Sequence, residues 1–374
     1  MTINISNVEV FPISMPLTDT FTSGGVAKSA THCIAVRLTA EDGAQGISSI
    51  DPSARAQSPN TAAELGVALR DQIAPALQGQ DAANLQRILA HARSLAPQQP
   101  GAAAAVELAC IDLNCRRLGI GIPEFLGGAV VDEVRFNGWI GELDPAPAAA
   151  EAQRWLDAGF KSAKIKVGSG VQADHDRVAA VRATVGSDFQ LRMDANEQYD
   201  VAGALALCDA VRAYDLQLFE QPVPADNLAG LAQIRRSGGI PIMADESVKD
   251  HVSLIRIIQA DCADYVKFGI KQVGGMLAAS RMLATAEAAG LPVVLGHGFG
   301  LDPSTMAEIM LGTTNSNIVA GLECVGPLKV TDSVVTTPID IRSGVLKVPE
   351  GPGLGLELDE DKLAQFAHQE CSDK

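Results

Sequence analysis

Asp194 in LRMDAN, Glu220 in LQLFEQP and Asp245 in IPIMADES each close a short apolar run, and they stand 26 and 25 residues apart. That interval is the length of one strand and helix. A chain that repeats it lays parallel strands side by side, and side chains at the C-terminal ends of those strands meet at one rim. Three carboxylates gathered there form an oxygen-only site suited to a hard divalent cation. One repeat upstream lies Lys164-Ile165-Lys166. Lysines at i and i+2 of a strand share a face, so both enter the barrel beside the acids.

The repeat runs through most of the chain. Apolar strand candidates begin near Val134, Ala163, Gln190, Gln217, Pro241, Asp264, Pro292 and Asn317, 23 to 29 residues apart, with Ala-rich helical segments between most of them. Eight such positions specify a closed parallel barrel better than an open sheet. Before it, residues 3–13 and 32–38 alternate as half-buried strands, Glu41-Asp42-Gly43 supplies a turn to a third near 44–50, and helices are expected at about 60–76, 83–95 and 101–117. The last helix is apolar nearly all round, with Pro100 at its start and Gly119 at its end. The chain therefore reads as an α+β domain over residues 1–125, a barrel over 126–323, and a Pro- and Gly-bearing tail over 324–374 that leaves the barrel.

Composition narrows the partners. Of 374 residues, 47% are hydrophobic and 20% charged, enough apolar material for a large core, and the net charge is −16. No basic run exceeds Arg116-Arg117 or Arg235-Arg236, which argues against nucleic acid. No apolar run approaches a membrane span, and residues 1–20 lack a charged segment followed by an apolar one, so a cytoplasmic protein is expected. The seven scattered cysteines read as reduced thiols filling core positions.

Acids and lysines in this arrangement suit removal of a proton from the carbon next to a carboxylate. The enediolate that forms carries two negative charges, which a divalent cation stabilises, and a lysine beside a second ammonium has its charged form disfavoured and so can act as base. Lys267 in DYVKFGI, His297 in VVLGHGFG and Glu323 in VAGLECVG end later strands and join the candidate site. Each has a plainer alternative. A lone Asp at a strand end is commonly a helix cap, and a histidine between Gly296 and Gly298 can serve only to bond loop backbone. For Lys164 and Lys166 the inward reading is the better one, because barrel strands bury both faces. Asn196 and Glu246, beside candidate ligands, would support them.

At these residues the chain resembles the enolase superfamily, in particular the muconate lactonizing enzyme branch of the mandelate racemase/muconate lactonizing enzyme group. KIK, MDAN, FEQP and ADES carry the likeness, as do the tail segments LECVGPLKVTDSVV and PGLGLELDEDKLAQF. The resemblance implies an α/β fold, a modified (β/α)7β TIM barrel with an N-terminal α+β capping domain to which the tail returns. It implies magnesium, or manganese in its place, on Asp194, Glu220 and Asp245, Lys166 as acid/base and Lys164 tuning it; a Lys or His base paired with magnesium is the general pattern of such sites. A lid from the loops near Thr20–Gly25 and Ser48–Ser53 would select a small carboxylate, with Thr20, Phe21, Ser49 and Glu323 as contacts, in a homo-oligomer.

One departure separates the reactions within that group. The branch usually carries a second lysine five residues before a Gly-Gly pair, and counting back from Gly274-Gly275 reaches Gly269. Lys267 and Lys271 flank it, on one face if the strand stays regular. Either Lys267 substitutes from deeper in the barrel or His297 serves the opposite face. Racemisation with two bases needs a group on each side of the carbon, whereas cycloisomerisation or dehydration runs with Lys166 alone. A cycloisomerase-type isomerase is therefore the leading expectation, ahead of a racemase or epimerase of an amino-acid derivative and a hydroxy-acid dehydratase. A non-catalytic metal-stabilised binding barrel and a phosphate-binding barrel using the Gly296-His297-Gly298 loop are the readings of other classes.

Overall fold

The computed structural model of the chain describes residues 2–23, 26–52, 61–296 and 298–367. Seven strands form one parallel sheet: β5 (Gly138–Ile140), β6 (Ser162–Lys166), β7 (Gln190–Asp194), β8 (Leu216–Glu220), β9 (Ile242–Ala244), β10 (Tyr265–Phe268) and β11 (Val293–Leu295), each beside the next. Closure comes from the segment at 317–323. Val293 N–H donates to Asn317 O and Val319 N–H to Val293 O on one side, while Leu322 N–H donates to Arg135 O and Asn137 N–H to Leu322 O on the other. The sheet thus meets itself through an eighth, irregular segment, and a closed barrel leaves no exposed edge.

The first barrel strand is β5, not the run near Val134. Val134 belongs to β4 (Glu133–Arg135), which pairs antiparallel with the tail strand β12 (Val345–Lys347). Three residues of alternating burial at β4 fit a two-stranded ribbon, whereas a barrel strand is buried on both faces.

Inside the barrel, period two sorts the side chains into layers. Leu218, Met243 and Val294 form an apolar cluster with Tyr265 and Val319, separate from the main core outside. Two residues further along the same strands come Glu220, Asp245 and Lys267. The apolar layer is therefore a dry floor, and the charged layer sits on it toward the C-terminal rim.

In the cap, β1 (Ile5–Ser23), β2 (Val26–Ala40) and β3 (Gln45–Ile50) make an antiparallel sheet. β1 and β2 are longer than the alternation suggested. Their pairing continues to Ser23 and Val26, past Pro12, Pro16 and a register shift that break the pattern in the sequence. Thr20 and Phe21 therefore lie on a strand, as do Ser48 and Ser49 on β3, where loops are expected. Gly24, Gly25 and Ser53 lie outside the described residues. The expected helices stand at 62–77, Leu85–Leu95 and Pro100–Leu118. Gly119 ends the last at φ +68, a left-handed conformation that glycine adopts without strain. That helix packs so closely on β3 that a Cβ at Gly46 would lie 2.2 Å from Ala109 O.

The tail returns across the cap. Thr18 N–H donates to Lys329 O, Thr331 N–H to Pro16 O and Ser14 N–H to Phe366 O. Asp112, wholly buried on helix Pro100–Leu118, accepts from Ile47 N–H at 2.8 Å, from the tail's Leu354 N–H at 2.7 Å and from Arg116 Nε at 2.9 Å. One carboxylate thereby joins sheet, helix and tail. Among the described residues no helix is long and apolar enough to cross a membrane.

Asp112→Ala leaves buried N–H groups without an acceptor, so the variant should lose about 2–5 kcal/mol of stability. Urea denaturation followed by circular dichroism measures the loss, and an unchanged midpoint would contradict the joining role.

Candidate active site

The strand register sets the site. Lys166 is level with Asp194, and Asp194 with Glu220, on three neighbouring strands. Lys164 Nζ lies 3.1 Å from Asp194 Oδ2, 2.7 Å from Glu220 Oε2 and 2.5 Å from Glu323 Oε2. Lys267 Nζ lies 2.8 Å from Glu220 Oε1, 3.1 Å from Glu323 Oε2 and 3.3 Å from Asp245 Oδ2. Lys166 Nζ bonds Asp194 Oδ2 at 2.6 Å and also Asn196 Oδ1. An ammonium therefore stands between successive carboxylates. Among the described residues no three acids, histidines or cysteines are gathered as a ready metal cage.

Each charge leans on the others. Burial, with Asp194 and Glu323 adding repulsion, pushes the Glu220 carboxyl up to about 8 against the pull of Lys164 and Lys267. Burial also works against ionised Asp194 and Glu323, yet Lys164 and Lys267 override it, helped by Lys166 at Asp194 and by Arg192 at Glu323. Both carboxyls are held well below the usual range. Burial likewise opposes the charge on Lys164 and Lys267, and their carboxylate neighbours win, so both are held above the ordinary lysine value.

The turns leaving these strands are strained. Asn196 (φ 41), Glu197 (φ 70) and Gln221 (φ 35) occupy positive φ without being glycine, a conformation that costs of order 1–3 kcal/mol and persists only when its surroundings impose it. Here hydrogen bonds do so. Asn196 N–H donates to Asp194 Oδ1 at 3.0 Å, and Glu197 N–H donates to Gln221 O at 2.9 Å. Gln221 Oε1 accepts from Asp245 N–H at 3.0 Å and from Ser247 N–H at 3.2 Å. Asn196 Nδ2 reaches Glu246 Oε1 at 3.1 Å, which ties the turn after β7 to the end of β9.

Other expected residues fall elsewhere. Glu323, expected to touch substrate, is buried beneath the lysines and bonds Lys164, Lys267 and Arg192. Ser49 Oγ accepts from Ser304 N–H at 3.0 Å, at the contact between cap and barrel. Thr20 is exposed, and Phe21 packs against Trp139 and Phe299. Lys271 does not share the face of Lys267: β10 ends at Phe268, the chain turns so that Gln272 and Val273 N–H donate to Gly269 O, and Lys271 Nζ reaches Asp51 O in the cap. His297 lies outside the described residues.

Four contributors escaped the sequence reading. Arg192 is fully buried two residues before Asp194, where period two alone points it inward, and its guanidinium bonds Gly321 O, Ala320 O and Glu323. Gln221 and Gln272 orient Asp245, the latter by donating to its carbonyl at 3.2 Å and its Oδ1 at 3.4 Å. Lys329 comes from the tail and carries no local signal.

Known proteins resemble this chain in sequence and in fold. Residues 147–362 match the family "Enolase C-terminal domain-like", and residues 4–127 match "Mandelate racemase / muconate lactonizing enzyme, N-terminal domain". Muconate cycloisomerase 1-1 of Acinetobacter lwoffii is 32% identical over 334 residues, 88% of each chain. The N-succinyl Arg/Lys racemase of Bacillus cereus superposes with a TM-score of 0.92 at 27% identity, covering 98% of both chains. A dipeptide epimerase of Enterococcus faecalis, solved with Mg and the dipeptide L-Leu-L-Tyr, superposes with a TM-score of 0.90 at 26% identity, covering 94% of this chain and 99% of that one. The chain belongs to the mandelate racemase/muconate lactonizing enzyme group of the enolase superfamily, and it is an enzyme.

Replacing Lys267 by Met strands Glu220, Asp245 and Glu323 without their shared ammonium, an unpaired buried charge worth about 3–5 kcal/mol. The sign with pH follows from Glu220. A carboxyl raised to about 8 binds a proton in the folded state that the unfolded chain releases near 4.3, so its contribution fades as pH rises between those values. The depressed Asp194 and Glu323 contribute fully above the ordinary carboxylate range and lose their share only below it. Urea unfolding at pH 5.5 and 8.5 should therefore show a larger deficit for Lys267→Met at the higher pH; an equal deficit contradicts the shared-ammonium account.

Proposed function

We propose that the chain is a magnesium-dependent isomerase that removes the proton next to the carboxylate of a small substrate, working from one face in the manner of a cycloisomerase. The observation that carries this reading is the difference between the lysines. Lys166 keeps 22% of its side chain exposed and has one carboxylate partner, whereas Lys164 and Lys267 are 9% and 7% exposed and each meets three. Only an accessible amine can reach a substrate carbon.

In this reading Asp194, Glu220 and Asp245 would hold the metal, and their oxygen-only chemistry fits a hard cation. Bound magnesium, or manganese, supplies Lewis-acid stabilisation of the enolate oxygens. Lys166 takes the α-proton and returns one, steered by Asp194 and by Asn196 Oδ1. Lys164 keeps a second positive charge beside it and counterbalances the acids below. Lys267, the candidate second base among the described residues, is engaged by Glu220, Glu323 and Asp245, which favours one-face chemistry over two-base racemisation.

Proton NMR of a carboxylate library in D2O with magnesium tests the proposal. One enantiomer of a responsive compound should lose its α-proton, and Lys166→Ala should slow that exchange by at least about a hundredfold while circular dichroism stays unchanged. Exchange at the wild-type rate in the variant would remove Lys166 as base. Equal exchange of both enantiomers would replace the one-face reading with a two-base racemase.

A further inference from the structure

Among the described residues, no anion makes a hydrogen bond or ion pair with the buried Lys329, which is 7% exposed. Its surroundings are rings: Nζ stands 4.4 Å from the centroid of Trp139, 4.4 Å from Phe299 and 5.4 Å from Phe21. Lys28 Nζ lies 3.5 Å from the centroid of the same Phe299. Cation–π contacts offset part of the desolvation, yet a second ammonium over the shared ring works against the first.

The position is built rather than incidental. Lys329 closes the 3-10 turn Gly326–Leu328, and its carbonyl accepts from Thr18 N–H at 2.8 Å and Thr18 Oγ1 at 3.2 Å, which fixes the tail where it crosses β1. A Cβ on Gly298 would lie 2.7 Å from its Nζ, so the loop after β11 leaves just enough room for the ammonium. Phe21 arrives from the cap, Trp139 from the first barrel strand and Phe299 from the loop after the last. Burial first, and then repulsion from Lys166, Lys164 and Lys28, outweigh the attraction of Glu323 and hold the Lys329 pKa well below the ordinary lysine value. Deeper in the barrel the charges match: Asp194, Glu220, Asp245 and Glu323 face Lys164, Lys166, Lys267 and Arg192. Among the described residues Lys329 and Lys28 form no ion pair, although Asp51 attracts Lys28, in a chain whose net charge is −16.

We propose that Lys329 and Lys28 form a second anion subsite, walled by Phe21, Trp139 and Phe299, that receives a carboxylate remote from the reacting carbon, so that Lys329 selects dicarboxylates over monocarboxylates. The inference rests on the reading of Lys166 as the base of the reacting centre, because it assigns the far end of that same substrate. An arriving carboxylate supplies the missing counter-charge, and a charge-assisted hydrogen bond in a water-poor cage discriminates strongly against an apolar end. The rings exclude water and match the flat carboxylate and its methylene chain.

Binding can be read from tryptophan fluorescence, since Trp139 lies in the subsite, with magnesium present and N-succinylglycine and N-butyrylglycine as probes. The two share an amide and an α-carboxylate and differ in the distal carboxylate. The wild type should bind the succinyl compound about tenfold tighter or more, and Lys329→Met should abolish that preference. Lys329→Met should also raise the melting temperature of the unliganded protein, because a buried unpaired ammonium is replaced by a thioether of similar length; a structural cation–π role requires the opposite shift. Lys329→Gln gives the same binding comparison if the Met variant fails to fold. A preference kept in both variants, or absent from the wild type, overturns the subsite. Lys166→Ala separates the two proposals: it should lose α-proton exchange yet keep the preference. A wild type that shows the preference without exchanging any α-proton removes the function proposed above and leaves the subsite standing.

Discussion

Everything in the barrel depends on ammonium groups shared between carboxylates. An isolated ionised group in a dry interior costs several kcal/mol even after relaxation. Four acids and four cations are tolerable there only because Glu220 meets both Lys164 and Lys267, and Glu323 meets those two and Arg192. The arrangement is cooperative, since no member can be assigned a partner of its own. It also explains the apolar layer below: Leu218, Met243 and Val294 keep water from the underside, so the attraction between charges acts at low dielectric.

Holding such a lattice requires backbone that departs from ordinary geometry. Asn196, Glu197 and Gln221 take positive φ where β7 and β8 end, and each belongs to a hydrogen bond that links its turn to the end of another acidic strand. In the cap, Asp112 binds sheet, helix and tail together. The tail is then no appendage. By fixing Lys329 against Thr18 it carries a charged side chain from the end of the sequence to the mouth of the barrel.

Much of this was legible because period and spacing are local properties. The recurrence of Asp194, Glu220 and Asp245 fixed which strand ends are neighbours, and i, i+2 spacing put Lys164 and Lys166 on one face. Arg192 obeys the same rule, two residues before Asp194, but the partners that make a buried arginine favourable lie in the distant segment 320–323. What sequence could not convey is where regular structure stops. Val134 has the apolar neighbours of a barrel strand, yet its pairing with β12 depends on residues more than 200 positions away. Pro12 and Pro16 hid the length of β1, and nothing near Lys329 announces that it faces three rings from distant segments.

The end of β10 shows how such a detail decides chemistry. Had the strand continued, Lys267 and Lys271 would project on one side toward the rim, and either could approach a substrate. It stops at Phe268 and turns through Gly269, so Lys271 swings to Asp51 in the cap while Lys267 stays level with the acids. A lysine surrounded by three carboxylates is stabilised as an ammonium and is a poor base. Lys166, on β6 and nearer the opening, has a single carboxylate partner and remains within reach of solvent. The same side chain is therefore set in two surroundings by depth alone: inside it neutralises the acids, and at the rim it keeps contact with solvent.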